Sequence, residues 1–284
     1  MTAPADVLSP HHRPILAGFA LSNVLLAFDY DGTLAPIATT PAAAQMRSTT
    51  GRLLARASRR YPCVVISGRM LADISERVQE IPLWYVFGNH GFEPVNPNTP
   101  PTGRTAEWLR TLREQLPAQP GIVIEDKSHT LTIHYRAAPD RESAAAAIGR
   151  AVQSLTDARV VGGAEAVNVL PRNGADKGVA LRHAMRLFAC TTAIYVGDDD
   201  TDEDAFRAIG PDRLLGVRIG RSDSSAAGFY LENQTDIDAL LRILVDLRST
   251  QFSTRPEDGG TNDRHKTTAG ADDGKTRSPE DTHE

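Results

Sequence analysis

The chain has 284 residues, 40% of them hydrophobic, and 31 Lys and Arg set against 36 Asp and Glu leave a formal net charge of -5. That is enough apolar material for a core domain plus a smaller one. A net negative charge with no basic, aromatic-interleaved stripe excludes nucleic acid as a partner, and no apolar run is long enough to cross a bilayer, so no membrane partner is expected.

In chain order, His11 and His12 have no metal-like spacing to other ligands and read as solvated. The stretch from Pro14 to Phe28 follows His12-Arg13 as a leader might, but it has no small-residue cleavage site and runs straight into an acidic motif. That motif closes an apolar run, Leu25-Leu26-Ala27-Phe28-Asp29-Tyr30-Asp31-Gly32-Thr33. Carboxylates this close repel, and one titrates high unless a cation sits between them. The competing reading is a strand followed by an Asp-Gly turn with its acids in water.

After Pro62 comes Cys63-Val64-Val65-Ile66-Ser67-Gly68-Arg69, a β-branched run ending in a hydroxyl, a glycine and a cation. Trp84 to Phe87 reads as a strand, followed by a glycine-flanked loop holding His90. Between Arg69 and the next motif at Asn173 lie about a hundred residues, too many for a loop in a compact domain. Within them Thr105 to Leu116 has helical spacing through Trp108, Leu109, Leu112 and Leu116, and the alanine-rich Asp140 to Leu155 is also helical. Ile122 to Ile124, Leu131 to Tyr135, Val160-Val161 and Ala166 to Leu170 read as strands. Two helices on a small antiparallel sheet make an inserted α+β unit.

The third motif is Asn173-Gly174-Ala175-Asp176-Lys177-Gly178, opening a helical pattern at Val179. The fourth is Val196-Gly197-Asp198-Asp199-Asp200-Thr201-Asp202-Glu203-Asp204, six carboxylates in seven residues from Asp198. Asp200, Glu203 and Asp204 are explained by a helix start, with Thr201 and Asp204 as a capping pair. Asp198 is not. At the carboxyl ends of parallel strands, Asp29, Asp31, Ser67, Arg69, Asp198 and Asp202 converge on one crevice. Arg69 and Lys177, each placed in a first helical turn, oppose the macrodipole at a cost of up to about 1 kcal/mol. A phosphate bound there resolves the conflict. Hard oxygen ligands beside a phosphate suit Mg²⁺.

These four ordered motifs resemble the haloacid dehalogenase superfamily of phosphatases, and most of all the trehalose-6-phosphate phosphatase family, from about Val24 to Leu247. Gly88-Asn89-His90-Gly91-Phe92-Glu93, Glu125-Asp126-Lys127 and His134-Tyr135-Arg136 are further matches. The resemblance implies an α/β fold: a Rossmann-like core with a parallel sheet over 1–104 and 171–249, and an α+β cap over 105–170. It implies Asp29 as nucleophile, Asp31 as acid and then base, and Ser67 and Lys177 on the phosphoryl oxygens. Mg²⁺ is expected on Asp29, Asp31 and Asp198, supported by Asp199 and Asp202. Substrate contacts are expected from Gly68, Arg69, Asn89, His90, Gly91, Glu125, Lys127 and Asn168. His134 and Arg136 alternate along a strand with one face in solvent and carry lower expectations.

One departure stands out. Where relatives commonly carry a lysine, a glutamate and an arginine, this chain has Ala164, Asn168 and Leu170. Three functions remain in view: a Mg²⁺-dependent trehalose-6-phosphate phosphatase, a phosphatase for another sugar phosphate, and a silent phosphate-binding module. A phosphomutase would share the nucleophile, but the cap suits release of a disaccharide. Cys63 and Cys190 read as reduced thiols, which fits a cytoplasmic enzyme, and a monomer is expected. After Phe252 no aliphatic or aromatic side chain larger than alanine occurs, so 250–284 is read as a disordered tail.

Overall fold

The computed structural model describes residues 3–94, 104–116, 119–163 and 165–253. Ala164 and the tail from residue 254 lie outside the described residues. The chain opens with β1 (Ala5–Asp6), α1 (Arg13–Leu21), β2 (Val24–Phe28), α2 (Ser48–Ser58), β3 (Cys63–Ile66), α3 (Leu71–Val78) and β4 (Tyr85–Phe87). It continues through α4 (Arg104–Gln115), β5 (Val123–Asp126), β6 (Leu131–His134), α5 (Arg141–Val152), β7 (Ala158–Gly163) and β8 (Ala166–Pro171). It closes with α6 (Lys177–Leu187), β9 (Thr192–Gly197), α7 (Glu203–Phe206), β10 (Leu214–Ile219), β11 (Phe229–Leu231) and α8 (Ile237–Ser253).

Among the described residues the strands form two sheets. One is seven-stranded and parallel, in the order β1-β11-β10-β9-β2-β3-β4. Its inner strands are apolar at nearly every position because both faces are covered. On one side Leu26, Phe28, Val65 and Ile194 pack with Leu240 and Leu244 of α8. On the other, Leu25, Ala27, Ile66 and Tyr195 pack with Leu181 and Ala184 of α6. Each such side chain contributes roughly 1.5–3 kcal/mol through burial.

The connectivity decides where the site lies. From β2 the chain moves outward to β3 and β4, then returns to β9 on the opposite side of β2. That reversal opens a crevice beyond the carboxyl ends of β2 and β9. Phe28 and Val196 are register partners, and the next amide, that of Asp29, donates to the Val196 carbonyl at 2.9 Å. Asp29 and Asp198 therefore leave adjacent strands within one residue of the same height.

The smaller sheet is antiparallel, in the order β5-β6-β8-β7, and forms the α+β cap. One face is apolar: Leu131, Ile133 and Val169 lie under Trp108 and Leu112 of α4 and Ile148 of α5. The opposite face, with Thr132 and His134, is turned to the core. Strands β1, β10 and β11 extend the large sheet beyond the motifs visible in the sequence. His12 is not simply solvated: its Nδ1 is 2.9 Å from the Asp6 carbonyl and its ring lies edge-on to Phe229. Among the described residues no helix is long and apolar enough to cross a membrane.

Candidate active site

Asp29 is a buried acid of the crevice, only 4% exposed. Lys177 Nζ donates to Asp29 Oδ1 and Asp202 Oδ1, at 2.8 Å each. Lys177 is the first residue of α6, whose N-cap Asp176 accepts from the Val179 amide at 2.8 Å. The two ion pairs offset the unfavourable position of a cation at a helix start. Asp202 is satisfied on both oxygens: Tyr195 donates to Oδ1 at 2.6 Å, and the amides of Asp198 and Asp199 donate to Oδ2 at 3.0 and 2.9 Å. Asp199 and Asp202 form the capping box of a single 3₁₀ turn, Asp200–Asp202, so the cap expected from Thr201 and Asp204 is replaced by this pair. The cap thus sits two residues earlier than the motif suggests.

One carboxylate oxygen each from Asp29, Asp198 and Asp202 lie within 4.8 Å of one another. Burial first, then Asp202 and Asp31, push Asp29 up to about 8 although Lys177 opposes them. Burial and the neighbouring acids likewise raise Asp198, and Asp199 rises to about 6. An all-oxygen cluster with more negative charge than Lys177 can balance fits a divalent cation. Gly32 makes the approach possible: it has φ +82°, and a Cβ there would come within 1.9 Å of Asp198 Oδ2.

Arg69 differs from expectation. It precedes the Met70 N-cap and so lies outside the first turn of α3. Its Nε and Nη2 donate to the two oxygens of Asp31 at 2.7 Å, and Nη1 donates to Asp73 at 2.6 Å. Burial acts against the Arg69 charge, but Asp31 and Asp73 outweigh it and raise its pKa. Ser67 is fully buried, and its Oγ accepts from the Arg69 amide at 3.1 Å.

Asn89 and Gly91, expected to touch substrate, stand behind the cavity wall. Asn89 Nδ2 donates to the Lys127 carbonyl at 2.7 Å and its Oδ1 accepts from Thr130 Oγ1 at 2.5 Å, tying the core to the cap. Gly91, at φ +97°, rests against the Asp176 backbone. Side-chain amides bind backbone and substrate equally well, so the sequence does not separate the two uses. His90 does line the cavity; it is buried, has φ +58°, and neither ring nitrogen has a hydrogen-bond partner. Burial, then Lys127, Lys177 and Arg159, hold His90 well below its usual range, with Asn168 acting in the opposite sense. Gly68 gives the ring room: a Cβ there would lie 2.6 Å from His90 Cε1.

A cavity of about 500 Å³ lies between core and cap. The core lines it with Asp29, Asp31, Gly68, Arg69, His90, Lys177, Asp198 and Asp199, and the cap with Glu125, Lys127, Thr132, His134, Arg136 and Asn168. Ser67, Asn89, Gly91 and Asp202 are not part of its wall. Lys127 Nζ donates to the Gly68 carbonyl at 3.0 Å and lies 3.6 Å from Glu125 Oε2. From the sequence, His134 and Arg136 rank low because one face of β6 belongs to solvent. That face is the cleft: the alternation of Leu131 and Ile133 with Thr132 and His134 was the available signal. Arg136 also reaches from the cap to the Ala38 carbonyl of the core.

Arg159 was not anticipated. It pairs with both oxygens of Asp204 at 2.7 and 2.5 Å, so Asp204 joins core to cap in place of capping a helix. Leu170, its register partner on β8, is 1% exposed and does not line the cavity.

The model of the trehalose-phosphatase family matches residues 27–234. A trehalose-phosphate phosphatase of Mycolicibacterium paratuberculosis is 37% identical over 82% of this chain and 62% of its own length. One of Mycobacterium marinum is 35% identical over 88% of this chain and 68% of its own. The chain thus spans about three fifths to two thirds of these curated relatives. The C-terminal domain of a C. albicans trehalose-6-phosphate phosphatase superposes with a TM-score of 0.70 at 24% identity, over 86% of this chain and 98% of that one, a likeness of fold. Parallel core, inserted cap and the matched span of sequence agree, and the chain belongs to the trehalose-phosphatase family.

Proposed function

We propose that the protein is a Mg²⁺-dependent phosphatase that hydrolyses trehalose 6-phosphate to trehalose and phosphate through an aspartyl phosphate on Asp29. The observation that carries this reading is the burial of Asp29 at the end of β2, bonded to Lys177 and clustered with Asp198 and Asp202 beneath a polar cap face. An Asp29 oxygen attacks phosphorus, the bond from phosphorus to the sugar 6-oxygen breaks, and Asp31 gives that oxygen its proton. Asp31 then takes a proton from water as the water oxygen attacks phosphorus, releasing phosphate and restoring Asp29. Splitting one difficult displacement into two is the gain from the covalent step. Lys177 holds the transferring oxygens, Ser67 joins it once its Oγ turns from the Arg69 amide into the cleft, and Asp31 leaves its pairing with Arg69 to reach the leaving group.

Held by Asp29, Asp198 and the Asp31 carbonyl, with Asp199 and Asp202 behind them, Mg²⁺ would neutralise charge on the phosphoryl oxygens. The sugar lies against Glu125, Lys127, Asn168 and His90, with Gly68 and Arg69 at its phosphate end. Two free, buried thiols, Cys63 and Cys190, support a reducing, cytoplasmic setting. An ester of another sugar is a second reading, favoured by the uncharged Asn168 in the cap face. Phosphate release with Mg²⁺ is measured from trehalose 6-phosphate, sucrose 6-phosphate and glucose 6-phosphate, with Asp29→Asn as blank. A strong preference for trehalose 6-phosphate, lost in the blank, supports the first reading. Preference for another ester moves the specificity of the cap, and no release from any overturns both readings.

A further inference from the structure

The cap face of the cleft holds an ordered polar row with an unassigned member. Glu125, Thr132 and Asn168 are register partners across β5, β6 and β8, and His134 follows Thr132 on the same face. Adjacent strands are roughly 4.8 Å apart, so Glu125 and Asn168 are about 10 Å apart at their backbones. His134 Nε2 lies 2.8 Å from Glu125 Oε2. An ionised carboxylate only accepts, so Nε2 carries the proton and donates. Lys127 approaches the same oxygen, at 3.6 Å. Oε1 takes no hydrogen bond among the described residues, and the Glu125 side chain is 40% exposed. Thr132 Oγ1 donates to Asn168 Oδ1 at 2.9 Å in the same manner, leaving the amide nitrogen as a donor.

We infer that His134 is a specificity-determining positioning residue, which fixes the Glu125 carboxylate so that Oε1 faces the cleft as an acceptor for a sugar hydroxyl. The matching ligand is a polyol that donates to Glu125 and accepts from Asn168, one strand spacing to either side of Thr132. Burial alone would raise Glu125; the His134 bond and Lys127 outweigh it and hold the carboxyl below its usual range. A half-exposed pair of this kind adds little to stability, so a purely structural role would leave substrate affinity alone. A carboxylate held in one rotamer loses less freedom on binding than a mobile one.

This inference rests on the sugar-phosphatase reading, and the test separates the two. Kinetics are run on whichever sugar phosphate of the panel the wild type hydrolyses best, so a wrong choice of sugar leaves the test of His134 intact. His134→Ala is expected to raise KM ~10-fold with kcat within ~3-fold, the loss of about one well-placed hydrogen bond. His134→Gln, whose amide N–H can reach Glu125, is expected to restore KM to within ~3-fold of wild type. Glu125→Gln in the His134→Ala background is expected to add little, because the two act as one unit. NMR of the imidazole gives a readout that does not depend on turnover: an Nε2–H held in a hydrogen bond and slow to exchange is expected in the wild type, and is lost in Glu125→Ala, which leaves no acceptor. An unchanged KM in His134→Ala, additive losses in the double variant, or an Nε2–H signal indifferent to Glu125→Ala would each overturn the assignment. Thermal denaturation of each variant separates misfolding from loss of position, and the folded His134→Gln keeps the test usable if His134→Ala does not fold.

Discussion

The two sheets bury their polar residues in opposite ways. In the core, charged groups at the strand ends are buried and answered by other charged groups: Lys177 bonds Asp29 and Asp202 with all three shielded from solvent. In the cap, the cleft-facing Glu125 and His134 are partly exposed, while Asn168 and Thr132 are buried but uncharged and bonded to each other. Buried charge gives large electrostatic effects in low dielectric, which bond making and breaking at phosphorus requires. Hydrogen bonds between neutral or partly exposed groups are worth less each, but they discriminate between hydroxyl patterns. On the proposed reading chemistry belongs to the core and selection to the cap, and the division can be broken by experiment.

The largest effect is expected from Asp29→Asn. Removing the nucleophile should lower kcat by ~10⁵-fold while leaving sugar phosphate binding, measured by calorimetry, nearly intact; substantial residual turnover would refute the covalent route. Chelation comes next: EDTA should lower phosphate release by at least ~10³-fold, with recovery on added Mg²⁺. Activity that persists after exhaustive chelation would refute the metal requirement and leave charge neutralisation to Lys177 and Arg69. Asn168→Ala lies on the other side of the comparison. It should raise KM for the true sugar phosphate ~10-fold with little change in kcat, and an unchanged KM for every ester turned over removes Asn168 from the site.

The smallest effect concerns pH and stability without metal. Asp29 moves from 3.8 to about 8 on folding, so between those values the folded chain holds a proton that the unfolded chain has lost. The stability of the metal-free protein should therefore fall as pH rises through that window. Melting temperatures in EDTA at pH 5.5 and 7.5, both inside it, test the sign, and Asp29→Asn should flatten the slope. A melting temperature that rises with pH in the wild type would show that other groups govern the balance.

Legibility follows the same boundary as chemistry. The core strands were readable because runs such as Leu25 to Phe28 and Cys63 to Ile66 are apolar without alternation, and their polar ends carry the site. The cap elements were readable to within a few residues. What Arg69, Asn89, Asp204 and His134 touch was not. Arg69 finds Asp31 from 38 residues away, and Asn89 finds Thr130 from 41.

By itself, then, the sequence determined which residues end the strands, in what order, and that an α+β unit is inserted between them, because hydrophobic period and turn chemistry are local. Only the tertiary structure decided that the Thr132 and His134 face of β6 looks into the cleft, that Asp204 joins Arg159, and that Asn89 holds the cap. A period of two defines two faces without saying which one meets solvent, and pairings across the cleft arise only when the two sheets pack.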